Sequence, residues 1–268
     1  MFNLLRMDLR RLFKTRSFYI ILGVTAGLIL MVVLLTAVVS DPETLDYVGV
    51  HGGEIDEIDR RMSEEIRNMT QLDLAYEVLG GGFLLVIAGI GVTLFVSGDF
   101  TSGFVKNICC AQPRRINYVL SKALTAGVYS AVITLLGALL ILLAPYLYGM
   151  RPVPNTALEI LRYLFWMWLP HWAFSLMGLA LVLLTRSATL GIILSLVAGG
   201  GLTAVMVGTL GKLLGWPPLE QYFLSTVVKG VYAPQSGIAQ PGVILACAAA
   251  WAVVYGAGSL LAMEKRDI

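Results

Sequence analysis

Charged residues and cysteine are both scarce in this chain of 268 residues, and each scarcity excludes a class of protein. Asp, Glu, Lys and Arg make up 13% of the sequence and hydrophobic residues 57%, against about 25% and 45–50% in soluble domains. The composition therefore predicts a membrane protein. Cysteine occurs only as Cys109, Cys110 and Cys247. These three form no C-x-x-C pair, which excludes a disulfide framework and a paired-cysteine metal site.

Motifs for nucleotide binding and hydrolysis are also missing. The nearest approach to a G-x-x-x-x-G-K-[ST] phosphate loop is Gly211-Lys212, which Leu213 follows. The chain contains no H-E-x-x-H or G-x-S-x-G sequence and no pair of aspartates inside an apolar run. We therefore expect a protein that is not an enzyme, has no metal site and binds no cofactor itself.

Six apolar runs are long enough to cross a bilayer, because about 20 helical residues span a hydrocarbon core of about 30 Å. The predicted fold class is an all-α membrane protein in which residues 1–268 form one transmembrane domain. The predicted spans cover residues 18–39, 79–98, 123–148, 163–184, 189–210 and 243–263.

The distribution of lysine and arginine predicts the orientation. Six spans place both termini on one side, and that side collects twelve of the 19 basic residues, five of them before the first span. Because basic residues are enriched in cytoplasmic loops, both termini are predicted to lie in the cytoplasm. The loop of residues 40–78, with eleven acidic residues and three arginines, then lies outside.

Segments next to the spans show helical patterns of their own. In residues 1–17, an apolar stripe at helical spacing predicts an amphipathic elbow helix lying in the headgroup layer. This stripe consists of Phe2, Leu5, Leu9, Leu12 and Phe13. The loop of residues 40–78 has a helical pattern with an acidic face, which favours a solvated cap helix over a receptor for a cationic ligand. Pro217 and Pro218 open an apolar stripe within residues 211–242, which predicts a short interfacial or re-entrant helix.

Small residues and one histidine mark further positions inside the spans. Gly23 and Gly27, with Gly256 and Gly258, are predicted to pack helices closely, within the subunit or across a dimer. The consecutive glycines Gly199, Gly200 and Gly201 leave the fifth span easily unwound. His171 has two interpretations, a neutral residue bonded to a neighbouring helix or a polar site in a substrate path.

A basic and polar segment, residues 99–122, separates the second span from the third. Its charges cannot face hydrocarbon, so the segment must lie in water or at the interface. One interpretation is a topology signal that contacts anionic lipid. The other is a surface that docks a partner.

The order of residues in this segment resembles the membrane subunit of type-2 ATP-binding-cassette exporters, the ABC-2 permease family. The chain is similar in particular to the small six-span bacterial permeases of peptide-antibiotic (lantibiotic) export and immunity. The shared pattern is an acidic residue, a glycine four positions later, Lys-Asn, then Arg, Tyr and Ser-Lys. It is matched by Asp99, Gly103, Lys106-Asn107, Arg114 or Arg115, Tyr118 and Ser121-Lys122. Phe104 replaces a common threonine, and Cys109-Cys110 replaces leucine and serine.

The resemblance implies a multi-pass permease of the bacterial cell membrane whose residues 99–122 form a cytoplasmic coupling helix. That helix would dock on a separate ATP-binding-cassette ATPase, present in two copies, which binds the ATP and Mg²⁺. The expected coupling residues are Asp99, Gly103, Phe104, Val105, Lys106, Asn107, Arg114, Arg115, Tyr118 and Lys122. Phe104 and Val105 would insert into the partner as apolar anchors, and the basic residues would meet acidic rims.

A second permease, identical or homologous, would complete the transporter. Its substrate path would lie between the two permeases, with spans one, two and five as walls and with His171 and Gly199 to Gly201 as candidate lining. We expect outward movement of an amphipathic cargo, and an antimicrobial peptide is the hypothesis for it. Two alternatives stay open, a membrane scaffold or sensor that does not transport and a proton-driven carrier that depends on His171.

Overall fold

The fold is helical almost throughout. The computed structural model describes residues 2–41, 43–44, 47, 57–111, 115–233, 237–238 and 240–265. Five of its helices are long and apolar enough to cross a membrane, and a sixth crossing results if one bent helix pair is counted as a single span. The prediction of an all-α, multi-pass membrane protein is confirmed at this level.

The elements follow one another closely along the chain. In the first half they are α1 (Phe2–Leu12), α2 (Arg16–Ser40), α3 (Glu57–Arg67), α4 (Gln71–Leu79), α5 (Phe83–Thr101), α6 (Phe104–Ala111) and α7 (Arg115–Leu147). The second half contains α8 (Ala157–Thr185), α9 (Ala188–Gly199), α10 (Leu202–Leu214), a 3-10 turn (Leu219–Tyr222), α11 (Leu224–Lys229) and α12 (Pro241–Lys265). Strands β1 (Tyr232–Ala233) and β2 (Gly237–Ile238) pair antiparallel before α12.

The long helices form a bundle in which α8 is central. It packs against α12, α5, α7 and α9, while α2 lies on α7. Arg115, at the start of α7, donates a hydrogen bond to the carbonyl of Met263 near the end of α12. The start of α7 and the end of α12 therefore lie at the same end of the bundle. We call it the α1 end, because α1 packs against α7.

Hydrogen bonds between loops define the opposite end, which we call the α4 end. The backbone N–H of Leu72 in α4 donates to the side-chain oxygen of Asn155 at 3.0 Å. The Gln71 amide donates to the Tyr146 hydroxyl at 3.1 Å. These bonds fix α4 across the connection between α7 and α8.

Two helices begin at other residues than the predicted spans, and a glycine turn explains one of these differences. The second span was expected to begin at residue 79, but α4 ends at Leu79 and α5 begins at Phe83. The reason is the Gly80–Gly82 turn, in which Gly82 adopts φ 82°, a left-handed conformation that other residues rarely accept. Helix α7 in turn begins at Arg115, eight residues before the predicted third span.

The fifth predicted span is broken in the middle. Helices α9 and α10 meet at a bend of 57°. Gly201, which has φ 84°, caps the start of α10. The three consecutive glycines thus interrupt the helix, in line with the easy unwinding expected of them.

The segments expected outside the membrane are made of short elements. The described part of residues 211–242 contains the end of α10, the 3-10 turn, the short helix α11 and the β1–β2 pair. An interfacial or re-entrant position of a helix in this segment stays a prediction. In residues 40–78, α3 carries Glu57, Glu64 and Glu65. Glu54 and Asp56 of the predicted acidic face lie outside the described residues.

The glycines expected to pack helices do not do so inside this chain. A Cβ added at Gly23, Gly27, Gly256 or Gly258 would meet no atom within 4 Å. The prediction that these glycines bring helices together within the subunit is therefore wrong for the described structure. Close packing occurs instead between α5 and α9, where a Cβ on Gly89 would lie 2.6 Å from the Ser195 hydroxyl oxygen.

Candidate functional site: a buried ionic network at the α1 end

Helix α1 turns an acidic residue toward the bundle. Leu4, Asp8 and Leu12 are its buried residues, spaced four apart on one face that packs against α7. The apolar face predicted from the sequence is buried only in part, since Leu12 is buried whereas Phe2 is 83% exposed and Phe13 is 42% exposed. Asp8 is fully buried, so a charged group lies in the middle of the α1 contact.

Lys122 joins this acid to a second one. Its ammonium Nζ lies 2.6 Å from Asp8 Oδ1 and 2.7 Å from Asp99 Oδ2, and all three side chains are fully buried. The guanidinium of Arg11 lies 2.8 Å from Asp99 Oδ1. Two acids and two bases therefore balance in one group, which we call the ionic network.

Hydroxyl groups complete the coordination of the two carboxylates. The Tyr118 hydroxyl donates to Asp99 Oδ2 at 2.9 Å. The Ser121 hydroxyl donates to Asp8 Oδ2 at 2.7 Å. Hydrogen bonds of this kind satisfy the lone pairs that an ion pair alone leaves exposed in a low-dielectric interior. Asp8 is thus paired with Lys122 and Ser121. Asp99 is paired with Lys122, Arg11 and Tyr118.

Aromatic rings cover the two cations. The guanidinium carbon of Arg11 lies 4.0 Å from the centre of the Phe104 ring, and Lys122 Nζ lies 4.6 Å from that of Phe95. A cation within about 6 Å of a ring centre is attracted by the negative face of the ring. The network is therefore charge-balanced, and both of its cations lie against aromatic rings.

The network joins three elements that are distant in sequence. Asp8 and Arg11 belong to α1, Asp99 to the last turn of α5, and Tyr118 and Lys122 to the first turns of α7. Removing one partner from a buried ion pair costs about 3–5 kcal/mol, because it leaves an uncompensated charge. The ends of α1, α5 and α7 are consequently fixed to one another as a single unit.

Helix α6 is attached directly to this unit. Gly103, with φ 69°, turns the chain sharply between α5 and α6. Val105 and Ile108 are buried, whereas Lys106 and Asn107 are exposed. Phe104, half-buried, contacts Arg11. One face of α6 thus lies on the bundle and the other faces away from it.

Several residues expected to touch a partner lie inside the chain. Asp99, Tyr118 and Lys122 are within the network, and Val105 is only 1% exposed. The expectation that Val105 inserts into another protein does not fit its burial here, because its side chain packs within the subunit. Lys106 and Asn107 remain available at the surface, and Arg115 bonds the end of α12. Arg114 lies outside the described residues.

The candidate path residues are separate from this site. His171 is fully buried in α8, with its Nδ1 2.6 Å from the carbonyl oxygen of Met167. Gly199 lies beside the start of α5, since a Cβ on Gly82 would lie 2.6 Å from its carbonyl oxygen. Gly200 and Gly201 form the bend that follows. The path itself stays a prediction.

Sequence reasoning missed Asp8, Arg11 and Ser121 as members of a site. A usable signal was present, because Asp8 is the only acidic residue among the first 40 and lies four residues from both Leu4 and Leu12. An acid in the middle of an apolar helical stripe needs a buried cation as its partner. The pattern could not indicate that Lys122, 114 positions away, supplies it.

The helices define an all-α, multi-pass membrane protein with a charged, buried junction at one end. Searches against protein-family models and against curated proteins find no match to this chain. Among the described residues, no group of three or more His, Cys, Asp or Glu side chains is placed to hold a metal ion.

Proposed function

We propose that this chain is the membrane-spanning permease subunit of an ATP-binding-cassette exporter of the ABC-2 type, in the bacterial cell membrane. The observation that carries the proposal is the ionic network, which joins the ends of α1, α5 and α7. The short helix α6 packs on this junction through Phe104, whose ring lies 4.0 Å from the guanidinium carbon of Arg11. A permease that lacks its own nucleotide site needs such a connection, because the force must enter from a separate ATPase.

The arrangement of basic residues supports a cytoplasmic position for this junction. The α1 end carries Arg6, Arg10, Lys14 and Arg16 on or beside α1, and Lys106 on α6. Basic residues next to spans favour the cytoplasmic side. Helix α1 then serves as the elbow helix at the inner leaflet, and both termini lie in the cytoplasm.

The exposed face of α6 is the proposed docking surface. Lys106 and Asn107 are both exposed, while Val105 and Ile108 anchor the helix to its own bundle. A cationic residue on a rigid surface helix would steer toward an acidic groove on the ATPase. The docking therefore depends on the polar face of α6 and not on an inserted apolar anchor.

Coupling follows from this attachment. When two nucleotide-bound ATPases close, each would displace the α6 docked on it. Because Asp99 and Lys122 join α5 to α7 and Asp8 joins both to α1, the displacement is carried to the spans as a rigid-body motion. The motion would open a path to the outside between two permeases, with α2, α5 and the broken α9–α10 pair as its walls.

A second permease subunit and an amphipathic cargo complete the proposal. Gly23 and Gly27 face away from their own bundle, which leaves α2 free to approach another helix closely. ATP and Mg²⁺ are bound by the ATPase. An antimicrobial peptide is the proposed cargo, since an amphiphile suits a path that is bounded by apolar helices and lies below an acidic outer segment.

The test is a charge reversal on the exposed face of α6. The permease is co-purified with a candidate ATP-binding-cassette ATPase and reconstituted in nanodiscs, and the rate of MgATP hydrolysis is measured. We expect Lys106→Glu to lower the permease-dependent hydrolysis rate at least about fivefold, since close charge pairs at interfaces contribute 1.5 kcal/mol or more.

The matched control is Lys229→Glu, at an exposed lysine that ends α11. This variant should hydrolyse MgATP at the rate of the unmodified complex. Equal rates for both variants would contradict docking through α6. Failure of any ATPase to co-purify, together with retention of a histidine kinase, would instead favour the sensor alternative.

A further inference from the structure

A cavity of about 180 Å³ lies between the α1–α2 turn and helices α5 and α7. Its wall includes Arg11 and Thr15 from the turn region, Phe18 from α2, Phe95 from α5 and Tyr129 from α7. The cavity is adjacent to the ionic network through Arg11. Its volume is sufficient for a group of phosphate size with bridging water, at about 30 Å³ for each water.

Two polar atoms of wall residues, the Tyr129 hydroxyl oxygen and Arg11 Nη1, are buried without a hydrogen bond. The Tyr129 side chain is 2% exposed, and its hydroxyl makes no hydrogen bond to any described residue. It lies against Gly91, another wall residue, where an added Cβ would overlap it. The Nη1 of Arg11 is likewise buried and without a hydrogen bond, while its Nη2 faces Asp99. Unsatisfied buried donors of this kind can be satisfied by a water molecule, an ion or a ligand group that enters the cavity.

The character of the wall restricts what that acceptor can be. Arg11 is the charged residue among the described residues that line the cavity, and no acidic side chain lines it. Lys14 and Arg16 flank Thr15 in the same turn. The remaining surface is largely apolar and includes Phe18, Ile21 and Leu94. A guanidinium and a phenol beside apolar rings suit an anionic oxygen group attached to an apolar body.

We propose that this cavity binds the phosphate of an anionic phospholipid, with Arg11 Nη1 and the Tyr129 hydroxyl as donors. The acyl chains would follow α2, where Ile21 lines the cavity and Val24 and Leu28 are exposed on the next turns. A zwitterionic headgroup binds less well, because its ammonium finds no acidic side chain on the described wall. The assignment does not depend on the proposed transport function.

The experiment measures saturable lipid binding to the purified, delipidated full-length chain by native mass spectrometry. The probes are phosphatidylglycerol, phosphatidylcholine and glycerol 3-phosphate, which has the phosphate but lacks acyl chains. We expect one phosphatidylglycerol per chain, bound at least about tenfold more tightly than phosphatidylcholine. Tyr129→Phe keeps the ring and removes the donor, so it should weaken binding by about tenfold or more, as expected for a hydrogen bond to a charged group.

A second variant fills the cavity without removing a donor. Gly98 lines the cavity, and a Cβ there would meet no atom within 4 Å, so Gly98→Leu should fold and block the lipid. Gly256→Leu in α12 is the matched control, since its Cβ also has open space. It should retain the lipid.

Unchanged phosphatidylglycerol affinity in Tyr129→Phe and Gly98→Leu would overturn the proposal. Displacement of the lipid by an equal concentration of glycerol 3-phosphate would overturn the assignment to an amphiphile and identify a site for a soluble phosphate.

Discussion

The sequence pattern singled out several polar residues at the α1 end, but it did not predict where their side chains lie. Asp99, Tyr118 and Lys122 were expected to contact a partner, and the structure buries all three inside the chain. Their polarity is satisfied by one another and by Asp8. The residue pattern assigned these groups to a docking surface and did not predict that they pair with one another.

The ionic network predicts a large stability effect from one lysine. Lys122→Ala would leave Asp8 and Asp99 buried without their shared cation, so we expect the free energy of unfolding to fall by about 3–5 kcal/mol. The measurement is thermal unfolding of the purified protein in detergent, followed by intrinsic fluorescence.

The matched control is the surface ion pair of α3. Arg61 and Glu57 lie 2.7 Å apart with side chains 73% and 76% exposed, so Arg61→Ala should change stability by less than about 1 kcal/mol. If Lys122→Ala melts at the same temperature as Arg61→Ala, the network does not hold the helices together.

The positions of the long helices were predicted more successfully than the contacts of individual residues. Apolar length and charge placed each long helix near its observed position, because hydrophobic runs and their polar ends are local properties of the sequence. Two of the errors lie at glycines. The Gly80–Gly82 turn shortened the second span, and the break at Gly199 to Gly201 divided the fifth. Both depend on backbone angles and on contacts between distant helices.

Alanine substitutions at Gly82 and at its neighbour Gly81 are predicted to affect stability differently, because only Gly82 lies against Gly199. Gly82 has φ 82°, and a Cβ there would lie 2.6 Å from the carbonyl oxygen of Gly199. Gly82→Ala should therefore destabilise the protein by more than about 1 kcal/mol, from the left-handed conformation alone. Thermal unfolding in detergent measures the effect.

Its neighbour provides the comparison. Gly81 is exposed, has no positive φ, and has no atom within 4 Å of an added Cβ. Gly81→Ala should leave the melting temperature unchanged or raise it slightly, since alanine restricts the unfolded chain. A similar loss in both variants would mean that the α4–α5 turn does not pack on α9 in this way.

The whole molecule is a bundle with two chemically different ends. The α1 end combines the ionic network, the exposed face of α6 and the contact between Arg115 and α12. The α4 end is tied by neutral side chains such as Gln71 and Asn155. Charge counting assigned twelve of the 19 basic residues to the side of the termini, and the orientation across the membrane stays a prediction. The pairing of Asp8 with Ser121 and Lys122 could not be predicted, since it joins residues 113 and 114 positions apart.

In the proposed function, α6 presents its polar face to the cytoplasm, where an ATPase can reach it. The most direct measurement is maleimide labelling of Lys106→Cys in a background without native cysteines, with Lys229→Cys as the control. In inside-out vesicles, a membrane-impermeant maleimide should label position 106 and not position 229, and in right-side-out vesicles the reverse. Labelling of position 106 from the outside would contradict the account.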